Sequence, residues 1–71
     1  MHLTVNGKPR EVVSSDGAMS LLVLLDVFEI DPKLVAVAIN GDVIAKSTFD
    51  DARVRDGDAI EIVRMVGGGA A

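Results

Sequence analysis

Apolar residues recur at every second position in several short stretches of the chain, as they do in half-buried β-strands. Two of these stretches run directly into Asn-Gly, a pair that favours tight hairpin turns because both residues accept positive φ. The pattern predicts five strands, over residues 2–5, 8–13, 35–39, 42–45 and 59–66. The first four strands form two hairpins, and the last strand stands alone near the C-terminus.

A different spacing predicts one helix between the two hairpins. Four large apolar residues follow the i, i+3, i+4, i+7 spacing of a helical face, namely Leu21, Leu24, Leu25 and Phe28. Ser20 can cap this helix by accepting a hydrogen bond from a backbone N–H. We expect Asp31-Pro32 to end the helix, because proline disfavours helical geometry in the residue before it.

The remaining segments are typical of turns and irregular structure. Residues 14–17 form a turn cluster, and Asp56-Gly57-Asp58 indicates a tight turn. Residues 47–53 predict a short irregular or single-turn segment with Phe49 as its apolar anchor. The resulting order is β-β-α-β-β-β, an α+β arrangement with one helix packed on a mixed sheet. We expect the first and last strands to lie side by side in the middle of that sheet.

Composition and charge limit the classes of function. A chain of 71 residues forms one domain at most, and its net charge of −4 disfavours nucleic acid and anionic membranes as partners. The chain has no cysteine, which excludes disulfides, a thiolate nucleophile and zinc–thiolate sites. The apolar run Leu21 to Leu25 is too short to span a bilayer, and the first residues lack the basic start of a signal peptide. We therefore expect a cytoplasmic protein.

The C-terminal segment carries the strongest indication of function. Gly67, Gly68 and Gly69 follow the last apolar strand, and Ala70-Ala71 come after them. Because glycine has no Cβ, such a segment is thin and pliable enough to enter a narrow slot in another protein. We expect residues 1–66 to form the folded domain and residues 67–71 to form a flexible, Gly-rich tail.

Several short motifs occur in a fixed order along nearly the whole chain. They are Val5-Asn6-Gly7, Leu24-Leu25, Val37-Ala38-Ile39-Asn40-Gly41, Lys46 with Phe49, Asp56-Gly57-Asp58 with Ile60, and the Gly-Gly end. No single motif is specific, but the ordered set in so short a chain resembles the ThiS family, the sulfur carriers of thiamine biosynthesis. Similar proteins often have arginine in place of Lys46 and tryptophan in place of Phe49, and both replacements are conservative. The resemblance implies a ubiquitin-like β-grasp fold.

The same resemblance implies a function for the tail. In this family an ATP-dependent, E1-like adenylating enzyme activates the terminal glycine carboxylate, sulfur replaces AMP, and thiazole synthase takes sulfur from the resulting thiocarboxylate. By spacing from Asp56-Gly57-Asp58, the terminal pair falls on Gly68 and Gly69, so Gly69 is the implied sulfur-carrying residue. The chain is then a carrier and not an enzyme. The sequence shows no constellation for a catalytic base, a metal or a bound cofactor.

Ala70-Ala71 depart from the family pattern and leave three alternatives. A peptidase removes them and exposes the Gly69 carboxylate, the adenylating enzyme accepts the extension and activates Ala71, or the chain has lost carrier activity. We favour removal. Activation of Ala71 is the least favoured alternative, because an alanine methyl near the reacting carbon would crowd a slot shaped for glycine.

Alternation along the strands predicts a partly apolar surface beside the tail. If Ile60 faces the helix, Val63 and Met65 face the opposite side of the sheet, and Ala38 joins them if Val37 faces inward. Exposed apolar patches often mark partner surfaces. We hypothesise that Ala38, Val63 and Met65 help to dock the adenylating enzyme, the alternative being that they are ordinary exposed residues.

Other functions stay open on the sequence alone. One alternative is sulfur carriage to molybdopterin, or to another thiocarboxylate-dependent pathway, with the same terminal chemistry. The compact length and the Asn-Gly, Lys46 and Phe49 pattern favour thiazole. An alternative of another class is a non-catalytic β-grasp interaction module with an inert tail.

Overall fold

The computed structural model describes residues 1–65. In that range the chain forms one α-helix, two short 3₁₀ helices and seven β-strands. The strands are β1 (His2–Val5), β2 (Lys8–Glu11), β3 (Ala18–Ser20), β4 (Val35–Ile39), β5 (Asp42–Ile44), β6 (Arg53–Arg55) and β7 (Ala59–Arg64). The helix α1 spans Leu21–Val27, and the 3₁₀ helices span Pro32–Leu34 and Lys46–Thr48.

Five strands form the main sheet, in the order β2-β1-β7-β4-β5. β1 and β7 run parallel, with Val5 opposite Ile60, whereas the other neighbours are antiparallel. A parallel pair needs a long crossover connection, and the helix lies within the chain segment that joins these two strands. The predicted pairing of the first and last strands inside a mixed sheet is confirmed.

The other two strands form a small second sheet that the sequence analysis missed. β3 pairs antiparallel with β6, with Met19 opposite Val54. The prediction took Ser20 as the helix cap and placed Arg53 at the end of the irregular segment, and it assigned no structure to residues 18–19 and 54–55. Each strand has three residues, which are too few for alternation to be visible in a sequence. β2 also ends at Glu11, before the predicted Val13, whose side chain is 93% exposed.

The helix begins where the pattern predicts, directly after Ser20. Leu21, Leu24 and Leu25 are fully buried, so three of the four predicted stripe residues lie in the core. Ser20 occupies the cap position, but its side chain makes no capping hydrogen bond. The Leu21 N–H donates to the carbonyl of Ala52 at 2.9 Å, which ties the start of the helix to the segment before β6.

The helix ends earlier than the predicted stop at Asp31-Pro32. Glu29 has a φ of 60°, in the left-handed region, and its N–H donates to the Asp26 carbonyl at 2.9 Å. The Ile30 N–H donates to the Leu25 carbonyl at 2.8 Å, which completes a Schellman ending. The predicted end was wrong because nothing in the sequence indicates that Glu29 adopts the left-handed conformation. A glycine at this position would have indicated the end of the helix.

The core lies between the helix and one face of the main sheet. It contains eleven buried apolar side chains, which are Leu3, Val5, Val12, Leu21, Leu24, Leu25, Val35, Val37, Phe49, Val54 and Ile60. Phe49, the predicted anchor of the irregular segment, is 4% exposed, which confirms its place in the core. Because the helix covers only one face of the main sheet, apolar residues of the opposite face such as Val43 and Val63 remain exposed.

Candidate functional site

The structure defines the base of the tail that the sequence analysis singled out. Gly67, Gly68 and Gly69 lie outside the described residues, as do Ala70-Ala71. The strand that leads to them, β7, ends at Arg64, and the Met65 N–H still donates to the carbonyl of Leu34 at 2.8 Å. The backbone is therefore held in place up to two residues before the first glycine of the tail.

Both hairpin asparagines help to fix β7. The Ile62 N–H donates to Asn6 Oδ1 at 2.8 Å, and Asn6 Nδ2 donates to the Ile62 carbonyl at 3.1 Å. At the start of the strand, the Ala59 N–H donates to Asn40 Oδ1 at 2.9 Å. The Asn-Gly turns confirm the predicted hairpins, and their side chains have a further role that the sequence did not reveal. They replace ladder hydrogen bonds where the neighbouring strands turn away.

Two of the predicted docking residues share a cavity on the outer face of the main sheet, the face away from α1. Ala38 and Val63 line this shallow cavity, which has a volume of about 200 Å³. Val63 is 61% exposed. Met65 is 49% exposed and follows Val63 on the same side of the chain by alternation, but it does not line the cavity. The structure thus brings Ala38 and Val63 together and leaves Met65 nearer the tail.

Sequence reasoning missed Val43, which lines the same cavity and is 79% exposed. β4 and β5 pair so that Val43 lies opposite Ala38. A signal was available, because a two-residue turn at Asn40-Gly41 fixes the register of the hairpin. We define the outer-face patch as Ala36, Ala38, Val43 and Val63.

The acidic turn Asp56-Gly57-Asp58 is structural. The His2 N–H donates to Asp56 Oδ1 at 2.6 Å, and the Arg55 N–H donates to Asp58 Oδ2 at 2.9 Å. Asn40 Nδ2 donates to the other Asp58 oxygen at 3.0 Å. Residues 1–65 contain no group of three or more His, Cys, Asp or Glu side chains that could hold a metal ion. In the same range, no helix is long and apolar enough to cross a membrane.

The chain is similar to known proteins over nearly its whole length. The model of the ThiS family matches residues 3–69. A sulfur carrier protein ThiS from Bacillus subtilis is 34% identical over 67 residues, which cover 94% of this chain and 98% of that protein. A thiazole synthase from Paramagnetospirillum magneticum is 37% identical over 70 residues. That match covers 99% of this chain but spans only 21% of the length of the synthase.

A solved structure extends the similarity to the fold. The crystal structure of a thiamine biosynthesis protein (ThiS) from Geobacter metallireducens superposes with a TM-score of 0.81 at 38% identity. The superposition covers 97% of this chain and all of that chain. The ubiquitin-like β-grasp fold implied by the sequence motifs is confirmed. From the extent of the family match and the agreement in structure, we conclude that this chain belongs to the ThiS family.

Proposed function

We propose that this chain carries sulfur for thiazole formation in thiamine biosynthesis, as a thiocarboxylate on Gly69. The observation that carries the proposal is the family match, which covers residues 3–69 and stops at the glycine that would be charged. The thiazole synthase relative supports this destination of the sulfur. In that protein, a segment similar to nearly the whole of this chain is part of a much longer polypeptide.

The chemistry of the proposed cycle accounts for the residues of the tail. A carboxylate is a poor electrophile, so an adenylating enzyme first converts it to an acyl-adenylate with AMP as a good leaving group. A sulfur donor then displaces AMP, and the thiocarboxylate gives its sulfur to thiazole synthase. The chain is a carrier and not the catalyst in this scheme. A thiocarboxylate also allows sulfur to be carried by a chain without cysteine.

The described contacts support separate roles for residues 1–66, as a folded domain, and for residues 67–71, as a tail. Hydrogen bonds to Asn6 and Leu34 fix the end of β7, so a partner would meet the tail at a defined starting point. Gly67 and Gly68 would then pass through a narrow slot, because they carry no side chain. We place these steps in the cytoplasm, where the adenylating enzyme has access to ATP.

The test of this function uses a chain ending at Gly69, incubated with the cognate adenylating enzyme, ATP and a sulfur donor. We expect intact-mass spectrometry to show the mass gain of one carboxylate oxygen replaced by sulfur. A chain ending at Gly68 is the matched control, because it keeps every described contact and lacks only the proposed acceptor. Equal charging of the two chains, or charging of neither, would contradict the assignment to Gly69.

We also propose that the outer-face patch docks the adenylating enzyme, with Met65 extending the contact toward the tail. Val63→Glu is expected to weaken the complex about 10-fold or more, because it places a charge in an apolar contact. Calorimetric titration measures the affinity, and circular dichroism checks that the variant is folded. Val13→Glu is the control, since Val13 is 93% exposed and lies outside the patch. An unchanged affinity for Val63→Glu would count against the patch.

A further inference from the structure

A groove lies beside the end of β7, on the helix side of the main sheet. Its volume is about 310 Å³. It is lined by five apolar residues, by Asn6 and by two arginines, Arg10 and Arg64. We call it the arginine groove. Arg64 lines this groove and is the last residue of β7, so the groove lies at the C-terminal end of the described residues.

Strand pairing places both arginines on the same side of the sheet. Arg10 lies opposite Leu3, and Arg64 lies opposite Val35. Leu3 and Val35 are buried against the helix side, so the two arginines project to that side as well. The Arg10 guanidinium carbon is 4.8 Å from the centroid of the Phe28 ring, a cation–π contact that helps to hold the side chain at the groove.

The charge of the groove is unlike that of the rest of the chain. Among the described residues, the lining contains no acidic side chain, whereas the whole chain has a net charge of −4. Within residues 1–65, neither Arg10 nor Arg64 takes part in an ion pair. Two guanidinium groups above an apolar floor favour a ligand that is both extended and acidic, because planar guanidinium groups bind carboxylates through paired hydrogen bonds.

The backbone at this point offers a place for a further strand. Met65 donates its N–H to Leu34 on the β4 side, and Ile62 exchanges hydrogen bonds with Asn6 on the β1 side. By alternation along an antiparallel pair, the N–H and C=O of Arg64 point to the β1 side. β1 ends at Val5, so no described strand reaches Arg64 from that side. An extended segment laid there could hydrogen-bond to Arg64 by strand addition.

We propose that the adenylating enzyme which takes the tail inserts an extended acidic segment into the arginine groove, where it pairs with the backbone of Arg64 and places a carboxylate against Arg10 and Arg64. This inference rests on the proposed function. An enzyme that encloses Gly69 must also surround the chain just before it, and the groove lies at that point. The outer-face patch is on the other side of the sheet, so the enzyme would hold both faces of β7.

Affinity measurements with charge-removing variants of the full chain test the acidic contact. Arg10→Ala and Arg64→Ala are each expected to weaken binding of the adenylating enzyme about 10-fold at low salt. The loss should shrink in about 1 M salt, where charges more than about 3 Å apart are screened. Arg55→Ala is the matched control, because it removes the same charge from an exposed residue outside the groove. Arg64→Ala leaves the contact between Arg10 and Phe28 intact. A loss of stability from breaking that contact therefore cannot explain weaker binding by both variants.

Hydrogen exchange tests the added strand separately. We expect the Arg64 amide to exchange at least about 10-fold more slowly in the complex than in the free chain. If the complex forms but the Arg64 amide is not protected, or if both arginine variants bind as tightly as the unsubstituted chain, the groove proposal is overturned while the proposed function stands. If a chain ending at Gly69 neither binds the adenylating enzyme nor is charged by it, the proposed function fails as well.

Discussion

Replacing Leu24 with alanine is expected to lower the free energy of unfolding by about 3 kcal/mol, a large part of the total stability of a domain of this size. Leu24 is fully buried in the middle of the helix face that covers the main sheet. Truncation removes apolar surface from the core and leaves a cavity that the surrounding side chains fill only in part. Urea titration followed by circular dichroism measures the change.

The neighbouring Val23 provides a matched control for this prediction. Val23 lies on the same helix but is 50% exposed, so Val23→Ala is expected to change the free energy of unfolding by less than about 1 kcal/mol. Alanine also has the higher helix propensity, which offsets part of the lost contact. If Leu24→Ala and Val23→Ala lower the free energy of unfolding by similar amounts, the buried helix face is not the main contributor to the core.

A chain ending at Ala71 is expected to be converted to the thiocarboxylate at least about 100-fold more slowly than a chain ending at Gly69. The two added residues carry the terminal carboxylate past the position that the enzyme activates, and the alanine methyl crowds the reacting carbon. Displacement of a reacting group by about 1 Å can cost a factor of this size. Intact-mass measurements over time, with ATP and a sulfur donor present, give both rates.

Length and side chain can be separated in the same assay. A chain with Ala70→Gly and Ala71→Gly keeps the full length but removes both methyl groups. Recovery of charging in this variant would assign the block to the methyl groups, and no recovery would assign it to length. Rapid charging of the unaltered chain at Ala71 would contradict the proposal that a peptidase first exposes Gly69. Peptidase action in the cell is then tested by the intact mass of the protein purified from its native source.

The sequence allowed good prediction wherever the relevant signal is local. The Leu21, Leu24 and Leu25 stripe identified the helix and its buried face, because one helical turn relates residues that are close in the chain. The hairpins at Asn6-Gly7 and Asn40-Gly41 were correct because the turn residues themselves set the geometry. Alternation also assigned Ala38 and Val63 to the outer face.

Predictions failed where a strand or turn depends on distant residues. β3 and β6 each have three residues and are defined by their pairing, so neither is visible before the fold brings them together. The helix stops at a left-handed Glu29, supported by hydrogen bonds to Asp26 and Leu25, and not at the proline that the sequence offered. Val43 is different, because the Asn40-Gly41 turn places it opposite Ala38 and that local signal was overlooked.

Short-range signals in the sequence were sufficient to predict the helix and the two hairpins. Each of these follows from short-range spacing or from the backbone preferences of a few residue types. Folding is what brings Arg10 and Arg64 to one groove and places Asn6 against the end of β7. These groupings join residues from opposite ends of the chain, and parallel pairing of β1 with β7 is what brings those ends together.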